Sequence, residues 1–287
     1  MDDAPTRTRS LDLVFDGLSE TIRVRVPEDA MDTIRLLFAD WPWREEAGGV
    51  PHLRITPTDT GYAVDVPGLE SQIAANAVEA AHMLVGSLIA HLVRGRESLV
   101  SFHAASFQAR AGLVVCLGAS FAGKSSVGLH AAAQGARFFG DDRIIVELGA
   151  TPHGIAQGLA PKLRLPVPED AGAAFRRFLD AHRVREGQGL LWLGPDASVA
   201  ASFGEARKLA GFAILDRREG EPTSLASASR AIVTEALLRH AFAPGVSVAG
   251  LVGRLAALAA AVPADVMQFA SSREAAAVLL ARHGGPA

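Results

Sequence analysis

A glycine-rich segment that begins at Gly118 has the residue types and spacing of a phosphate-binding loop. It matches the pattern G-x-x-x-x-G-K-[ST], with Lys124 and Ser125 at its end. Glycines let the backbone wrap around phosphate groups, and the N–H groups that begin the next helix direct partial positive charge at an anion. We expect Lys124 to reach the β- and γ-phosphates of ATP and the Ser125 hydroxyl to bind Mg²⁺. The predicted nucleotide-binding residues are Gly118, Ala119, Ser120, Phe121, Ala122, Gly123, Lys124, Ser125 and Ser126.

Two adjacent acids follow this loop at a distance that suits phosphoryl transfer. Asp141 lies seventeen residues after Lys124 and is followed by Asp142, at the end of a predicted strand. Ligands of open α/β sheets bind where strands end. One carboxylate can hold Mg²⁺ while the other accepts the proton of an attacking hydroxyl. An Asp-Asp pair after a strand can also be a simple turn, but its spacing from the loop favours the catalytic interpretation.

Four further residues each have a chemical and a structural interpretation. His103, in the apolar run LVSFHAAS of a predicted strand beside the loop strand, lies either near the γ-phosphate or in the core with a hydrogen-bond partner. Lys162 and Arg164 either neutralise a transferring phosphate or are solvated loop charges, and we favour the second. Asp216 ends the run LAGFAILD, where a second metal-binding acid would be found, but we favour a structural role.

The apolar pattern predicts the elements that must position these residues. A strand over 113–117 leads into the loop, a helix over 125–134 follows it, and a strand over 137–148 carries the acids. LAGFAILD is predicted to be a buried strand, and the Gly- and Pro-rich region 150–202 is hard to assign. Further helices are predicted near 171–185, 227–242, 248–261 and 273–282.

The first third of the chain is predicted to consist of hairpins and helices, and we assign no catalytic residue to it. We therefore predict an α/β protein, α+β overall, with an N-terminal α+β segment over 1–95 and a nucleotide-binding domain over 96–287. The predicted elements of the first segment are a hairpin within 11–26, a helix within 29–40, a hairpin formed by 52–56 and 62–66, and a helix over 71–94.

Composition limits the classes of function and the compartment. The chain has 287 residues with 49% hydrophobic and 21% charged residues, which is typical of a folded globule. The net charge of −3 argues against a nucleic-acid partner. A single cysteine, Cys116, excludes an internal disulfide and favours a reducing compartment. The start MDDAPTRTRS lacks the apolar core of a secretory signal, and the apolar stretch over 80–93 is too short to span a membrane, so we expect a cytoplasmic protein without a membrane partner.

In these motifs the chain resembles the HPr kinase/phosphorylase family, whose catalytic domain shares its nucleotide core with phosphoenolpyruvate carboxykinase. The resemblance depends on FHAAS, GASFAGKSS and GARFFGDDRIIVE, which stand in the family's order of His-bearing strand, loop, helix and Asp-Asp strand end. It covers residues 98–147, and a weaker similarity of layout to stand-alone kinases related to HPr kinase extends over the whole chain.

The resemblance implies Mg²⁺- and ATP-dependent phosphorylation of a serine hydroxyl, with an aspartate as general base. It also implies a homo-oligomer. Two departures argue against HPr as the substrate and against a reverse phosphorylase activity: Ser126 stands where the family usually has Glu, and the family's downstream arginine-rich signature is absent. The implied catalytic residues are Lys124, His103, Asp141 and Asp142, and the implied metal ligands are Ser125, Asp141 and Asp142, without a choice of which aspartate is the base.

The acceptor is the least defined part of the expected reaction. Similar small kinases modify ribosomally made peptides, including lasso-peptide precursors, so the resemblance implies a serine of a peptide or protein. Three alternatives stay open: a kinase of a small hydroxylated metabolite, a nucleotide-binding module without catalysis, and simple hydrolysis of a nucleoside triphosphate. A module without catalysis needs Lys124 and Ser125 but no carboxylate near the γ-phosphate.

Overall fold

The computed structural model describes residues 9–68, 70–187, 189–194 and 196–287. Its contacts divide the chain into two compact units, one ending at Leu92 and the other beginning at Val93. The domain limits at 1–95 and 96–287 stay a prediction, and the two units are described separately. Most of the MDDAPTRTRS segment, on which the expectation about a secretory signal depends, lies outside the described residues.

The N-terminal unit contains a mixed sheet and two α-helices. Its strands are β1 (Ser10–Asp16), β2 (Thr21–Pro27), β3 (Trp43–Glu45), β4 (Leu53–Thr58), β5 (Gly61–Asp65) and β6 (Gln72–Ala74), and its helices are α1 (Met31–Leu37) and α2 (Ala77–Val93). The sheet order is β3-β1-β2-β4-β5-β6. Both hairpins and both helices predicted from the sequence are present in this unit.

The second helix begins six residues later than predicted, and local hydrogen bonds explain why. Gln72–Ala74 forms strand β6 and pairs with β5 instead of entering the helix. Asn76 accepts a hydrogen bond from the N–H of Glu79, whose carboxylate in turn accepts one from the N–H of Ala75. These two hydrogen bonds, which are similar to those of a capping box, fix the start of α2.

A large mixed sheet forms the centre of the C-terminal unit. Its strands are β7 (Leu99–Phe102), β8 (Ala105–Ala109), β9 (Gly112–Leu117), β10 (Arg137–Gly140), β11 (Ile144–Glu147), β12 (His153–Ile155), β16 (Ala206–Arg217), β17 (Ser224–Ser227), β18 (Ala241–Phe242) and β19 (Ala264–Phe269). The main order is β10-β8-β9-β16-β12-β11-β7-β18, and β19 pairs with β16 and β17. Strand β16 runs parallel to β9 and to β19.

Helices cover both faces of this sheet, because successive residues of β9 pack against different helices. The helices are α3 (Lys124–Ala133), α5 (Arg230–His240), α6 (Val248–Ala261) and α7 (Ser272–Arg282). Leu113, Val115 and Leu117 pack in one core cluster with residues of α5 and α6. Val114 and Cys116 pack in the other with residues of α3 and α7. Successive residues of a strand face opposite sides, so the α/β class predicted from the sequence is confirmed.

A small separate sheet and the helix predicted near 171–185 occupy much of the Gly- and Pro-rich region over 150–202. The sheet has the order β13-β15-β14, and its elements are β13 (Lys162–Arg164), β15 (Leu190–Leu193) and β14 (Arg183–Gly187), with α4 (Ala173–His182) between β13 and β14. Leu163 and Phe175 pack with Leu129 of α3 in one cluster. This contact joins the small sheet to the helix that follows the glycine-rich loop.

Two strands that the sequence predicts to be continuous are each interrupted at candidate site residues. The predicted strand over 137–148 is divided into β10 and β11 by residues 141–143, and His103 lies in the break between β7 and β8. Within the described ranges, no helix has both the length and the apolar character needed to cross a bilayer.

Candidate functional site

The glycine-rich loop joins β9 to α3, as the motif predicts. Helix α3 begins at Lys124, directly after Gly123, whose φ of 88° lies in the left-handed region. A side chain at Gly123 would also approach Phe269 and Ser272 at 3.4 Å. Glycine is therefore needed at the point where the loop turns into the helix. The N–H groups of the first turn of α3 consequently face the loop, which is the arrangement that binds phosphate groups.

The Lys124 side chain binds the backbone of the glycine-rich loop. Its side chain is only 8% exposed, and its Nζ donates hydrogen bonds to the carbonyl oxygens of Gly118 at 2.9 Å and Ala119 at 3.0 Å. Burial lowers the pKa of Lys124, while the negative charges of Asp142 and Asp141 act in the opposite direction. The ammonium group is thus held among loop carbonyls, close enough to both acids to feel their charge.

Asp141 links the acid pair directly to the start of α3. It is 3% exposed, and its Oδ1 accepts hydrogen bonds from the Ser125 hydroxyl at 2.6 Å and from the N–H of Asp142 at 2.9 Å. Its Oδ2 accepts a hydrogen bond from the N–H of Lys162 at 3.2 Å. Burial, and then the charge of Asp142, raise the pKa of Asp141 to about 6. This carboxylate is fixed in position by three donors.

Asp142 occupies a backbone conformation that few side chains adopt. Its φ is 60°, in the left-handed region, which Asp tolerates better than most residues. Its side chain is 38% exposed and forms an ion pair with Lys162 Nζ. The two aspartates therefore differ in environment, since Asp141 is enclosed against Ser125 and Asp142 is accessible to solvent.

His103 lies beside the acids and the lysine. Its side chain is half-buried, and burial followed by the charge of Lys124 lowers the pKa of the imidazole. The charge of Asp142 and a hydrogen bond with the Asp142 backbone act in the opposite direction. The fold thus brings His103 to the same place as Lys124 and the aspartates. Its location in a break between strands, instead of within one, frees its N–H to donate to the carbonyl of His240 at 2.9 Å.

Two further residues, His240 and Arg143, also lie at this site. The rings of His240 and His103 are stacked with centroids 6.4 Å apart, and burial followed by the charge of Lys124 lowers the pKa of His240. The Arg143 guanidinium lies 5.4 Å from the centroid of the Phe242 ring. No local motif marks His240, because its position depends on the pairing of β18 with β7.

The interpretation of Lys162 and Arg164 as solvated loop charges is wrong for Lys162. Its Nζ pairs with Asp142 and lies 5.8 Å from the centroid of the Trp192 ring. Arg164 is exposed, but its guanidinium stacks at 4.1 Å over the ring of Phe121, in the glycine-rich loop. Both cations are therefore next to the loop or its acids.

Asp216 is located at the end of β16, the parallel neighbour of the strand that leads into the loop. Its carboxylate forms an ion pair with Arg218 at 2.9 Å, and both side chains are partly exposed. This contact agrees with the structural role favoured for Asp216. The acids bonded to Ser125 and Lys162 are those of the Asp-Asp pair.

The oxygen donors at the site fit a magnesium ion that arrives with a nucleotide. The Ser125 hydroxyl and the carboxylates of Asp141 and Asp142 are hard ligands of the kind that Mg²⁺ prefers. Among the described residues there is no group of three or more His, Cys, Asp or Glu side chains that could hold a metal alone. Mg²⁺ in nucleotide sites is usually bound by one or two carboxylates together with phosphate oxygens, so this donor set is sufficient.

Comparison with solved structures shows a distant structural likeness. No family model matches the chain, and no curated protein matches it. Among solved structures, it is similar to the HPr(Ser) kinase/phosphatase from Coxiella burnetii, with 12% sequence identity and a TM-score of 0.33, over 64% of this chain and 95% of that one. A likeness this remote carries no argument about function, so the site is interpreted from its geometry.

Proposed function

We propose that this protein is a Mg²⁺-ATP-dependent kinase that transfers the γ-phosphoryl group to a serine hydroxyl of a peptide or protein. The observation that carries the proposal is the 2.6 Å hydrogen bond between Ser125 Oγ and Asp141 Oδ1. It joins the phosphate-binding motif to the acid pair, which a module that only binds nucleotide does not need. The resemblance of the sequence motifs to serine kinases supplies the acceptor class.

Nucleotide binding is assigned to the loop and the first turn of α3. The N–H groups of the loop would hold the phosphates, and Lys124 Nζ would give to phosphate oxygens the hydrogen bonds that it now donates to Gly118 and Ala119. Ser125 and one of the two aspartates would hold the magnesium ion. Bound there, magnesium supplies charge neutralisation for the transferring group. Lys124 is enclosed by the same residues, so its charge acts in a medium of reduced dielectric constant.

Activation of the acceptor is assigned to the acid pair. One carboxylate takes the proton of the attacking serine hydroxyl, and the other holds the metal. His103 and Arg143 add polar and positive groups next to Asp142. Phosphoryl transfer needs positioning and charge stabilisation more than covalent catalysis, so these residues are sufficient for the reaction.

The test is to incubate the protein with γ-labelled ATP and the peptides encoded beside its gene, and to locate the phosphate by mass spectrometry. We expect label on a serine of one peptide. Lys124→Ala should abolish this transfer and weaken nucleotide binding, because it removes the buried ammonium of the loop. The control is Lys208→Ala, an exposed lysine on β16, which should transfer normally.

Other outcomes of the same experiment contradict the proposal. Label that appears only as free phosphate would indicate hydrolysis, and label on an added small metabolite would indicate a metabolite kinase. Binding of ATP without any turnover, across the peptides and hydroxylated metabolites tried, would favour a nucleotide-binding module. Transfer that survives replacement of both Asp141 and Asp142 by Asn would remove the proposed mechanism.

A further inference from the structure

Strand β13 contacts the candidate site through two cations on one face. Lys162 and Arg164 occupy alternate positions of the strand, so their side chains share a face. Lys162 pairs with Asp142, and Arg164 stacks over Phe121 in the glycine-rich loop. Leu163, between them, is buried in the cluster that contains residues of α3 and α4. The strand is thus anchored on one face in the core and presents its charges to the site on the other.

Lys162 contacts both aspartates, but by different groups. Its backbone N–H donates to Asp141 Oδ2, and its ammonium group pairs with Asp142. The backbone contact stays when the side chain is replaced by any residue other than proline. A substitution at Lys162 therefore removes the ion pair with Asp142 and leaves the contact with Asp141 in place, which separates the two effects experimentally.

Several cations surround the acid pair, and they differ in how freely they can move away from it. Two adjacent carboxylates repel each other, and the positive groups that act on them are Lys124, Lys162 and Arg143, with His103 nearby. Lys124 is enclosed by loop carbonyls and Arg143 is half-buried against the Phe242 ring, whereas the Lys162 side chain is 23% exposed on a flexible four-carbon stem. Of these cations, Lys162 is the one that can leave a carboxylate without unfolding its surroundings.

We infer that the Lys162 ammonium is the resting counter-ion of Asp142, and that it leaves this carboxylate when the magnesium nucleotide binds. The inference rests on the proposed function for the presence of the metal. A divalent cation at the acid pair repels the ammonium and competes for the same carboxylate oxygens. Lys162 therefore lowers the affinity of the nucleotide-bound site for the metal, because its ion pair with Asp142 must break before the metal binds.

The test is the affinity of the protein for Mn²⁺, measured by electron paramagnetic resonance of the free ion with a non-hydrolysable ATP analogue present. Lys162→Met should tighten Mn²⁺ binding by about fivefold, the scale of one partly exposed ion pair. Lys162→Arg keeps the charge and should bind like the unaltered protein. Arg164→Met is the matched control on the same face of β13, and because Arg164 pairs with an aromatic ring it should change the affinity by less than about twofold.

A double-mutant cycle with Asp142→Asn isolates the pair itself. In the Asp142→Asn background the ammonium has lost its ion-pair partner, so Lys162→Met should tighten Mn²⁺ binding much less than in the unaltered protein. The inference is overturned if Lys162→Met leaves the affinity unchanged or weakens it. It is also overturned if the tightening is equally large in the Asp142→Asn background, because the effect is then a general change of charge.

Failure of the inference and failure of the proposed function give different results. If no peptide, protein or metabolite is phosphorylated but the cycle behaves as expected, the kinase proposal fails and the counter-ion exchange stands. If serine phosphorylation is observed but the cycle shows no coupling, the exchange is wrong and the kinase proposal stands. Loss of Mn²⁺ binding in every variant, including the unaltered protein, contradicts both.

Discussion

At the scale of single residues, the two aspartates are chemically distinct although they are adjacent in sequence. Asp141 is enclosed and accepts three hydrogen bonds, and Asp142 is accessible and paired with the Lys162 ammonium. Such a difference is what a division of labour between a metal-holding acid and a general base requires. His103, for which the sequence left two interpretations open, interacts with both Lys124 and Asp142.

Replacement of each aspartate by asparagine should separate the two roles. We expect both Asp141→Asn and Asp142→Asn to lower the turnover number by ~10²–10⁴-fold, the usual contribution of a general base. Nucleotide binding should persist in both, because the loop and Lys124 are intact. The variant that keeps the Mn²⁺ affinity of the unaltered protein identifies the base, and the variant that loses it identifies the metal ligand. Equal turnover in all three proteins would show that neither acid takes part.

At the scale of elements, the packing of α3 against α4 includes a buried histidine. The ring of His130, which is 3% exposed, is stacked on that of Phe175 with centroids 3.6 Å apart. Burial lowers the pKa of His130 to about 4 from its ordinary value of 6.5. The unfolded chain therefore binds a proton between these pH values that the folded protein does not bind, and stability falls as the pH drops through this range.

This linkage predicts a pH dependence that a substitution should remove. Between pH 7 and pH 4, His130 should contribute a loss of ~3 kcal/mol in the free energy of unfolding, at 1.36 kcal/mol for each pKa unit. His130→Leu should reduce the pH-dependent loss by about this amount in urea titrations. The control, Leu179→Ala in the same cluster, should lower stability at every pH by ~2–5 kcal/mol and leave the slope unchanged. An unaltered slope in His130→Leu would contradict the assignment.

The junction between loop and helix gives a second test at this scale. Gly123→Ala forces a side chain into a left-handed conformation, at a cost of ~1–2 kcal/mol, and it should also weaken ATP binding because the first turn of α3 shifts. Gly253→Ala is the matched control, since Gly253 lies in α6 with nothing within 4 Å of an added Cβ. That variant should gain ~1 kcal/mol from helix propensity. Thermal unfolding and titration with a fluorescent ATP analogue measure both effects.

Local patterns predicted the loop, the acid pair and the helices that flank them, because each is encoded by contiguous residues. The contributions of Lys162 and His240 were not predictable in this way. Lys162 reaches the acids because a three-residue strand pairs with β15 in a Gly- and Pro-rich region, where no periodicity is legible. His240 depends on the two-residue strand β18. The predicted continuous strand over 137–148 was wrong because Asp142 adopts a left-handed conformation that ends the pairing.

At the scale of the whole molecule, every residue assigned to the site belongs to the unit that begins at Val93. We therefore expect a fragment over 93–287 to fold and to bind a fluorescent ATP analogue with an affinity within about threefold of the full chain, since no side chain of the phosphate site is removed. Circular dichroism establishes that the fragment is folded before the titration. A folded fragment that no longer binds the analogue would show that the first unit contributes to nucleotide binding.

The burial of the single cysteine, Cys116, has a practical consequence for labelling experiments on this protein. Cys116 is fully buried in β9, two residues before the glycine-rich loop, and burial raises the pKa of its thiol to about 12. The thiolate, which is the form that reacts with maleimides, is therefore scarce at neutral pH and shielded from reagents. A cysteine introduced on the surface would carry a spin or fluorescent label without competition from the native thiol. A label attached in this way would report from one chosen position on the protein.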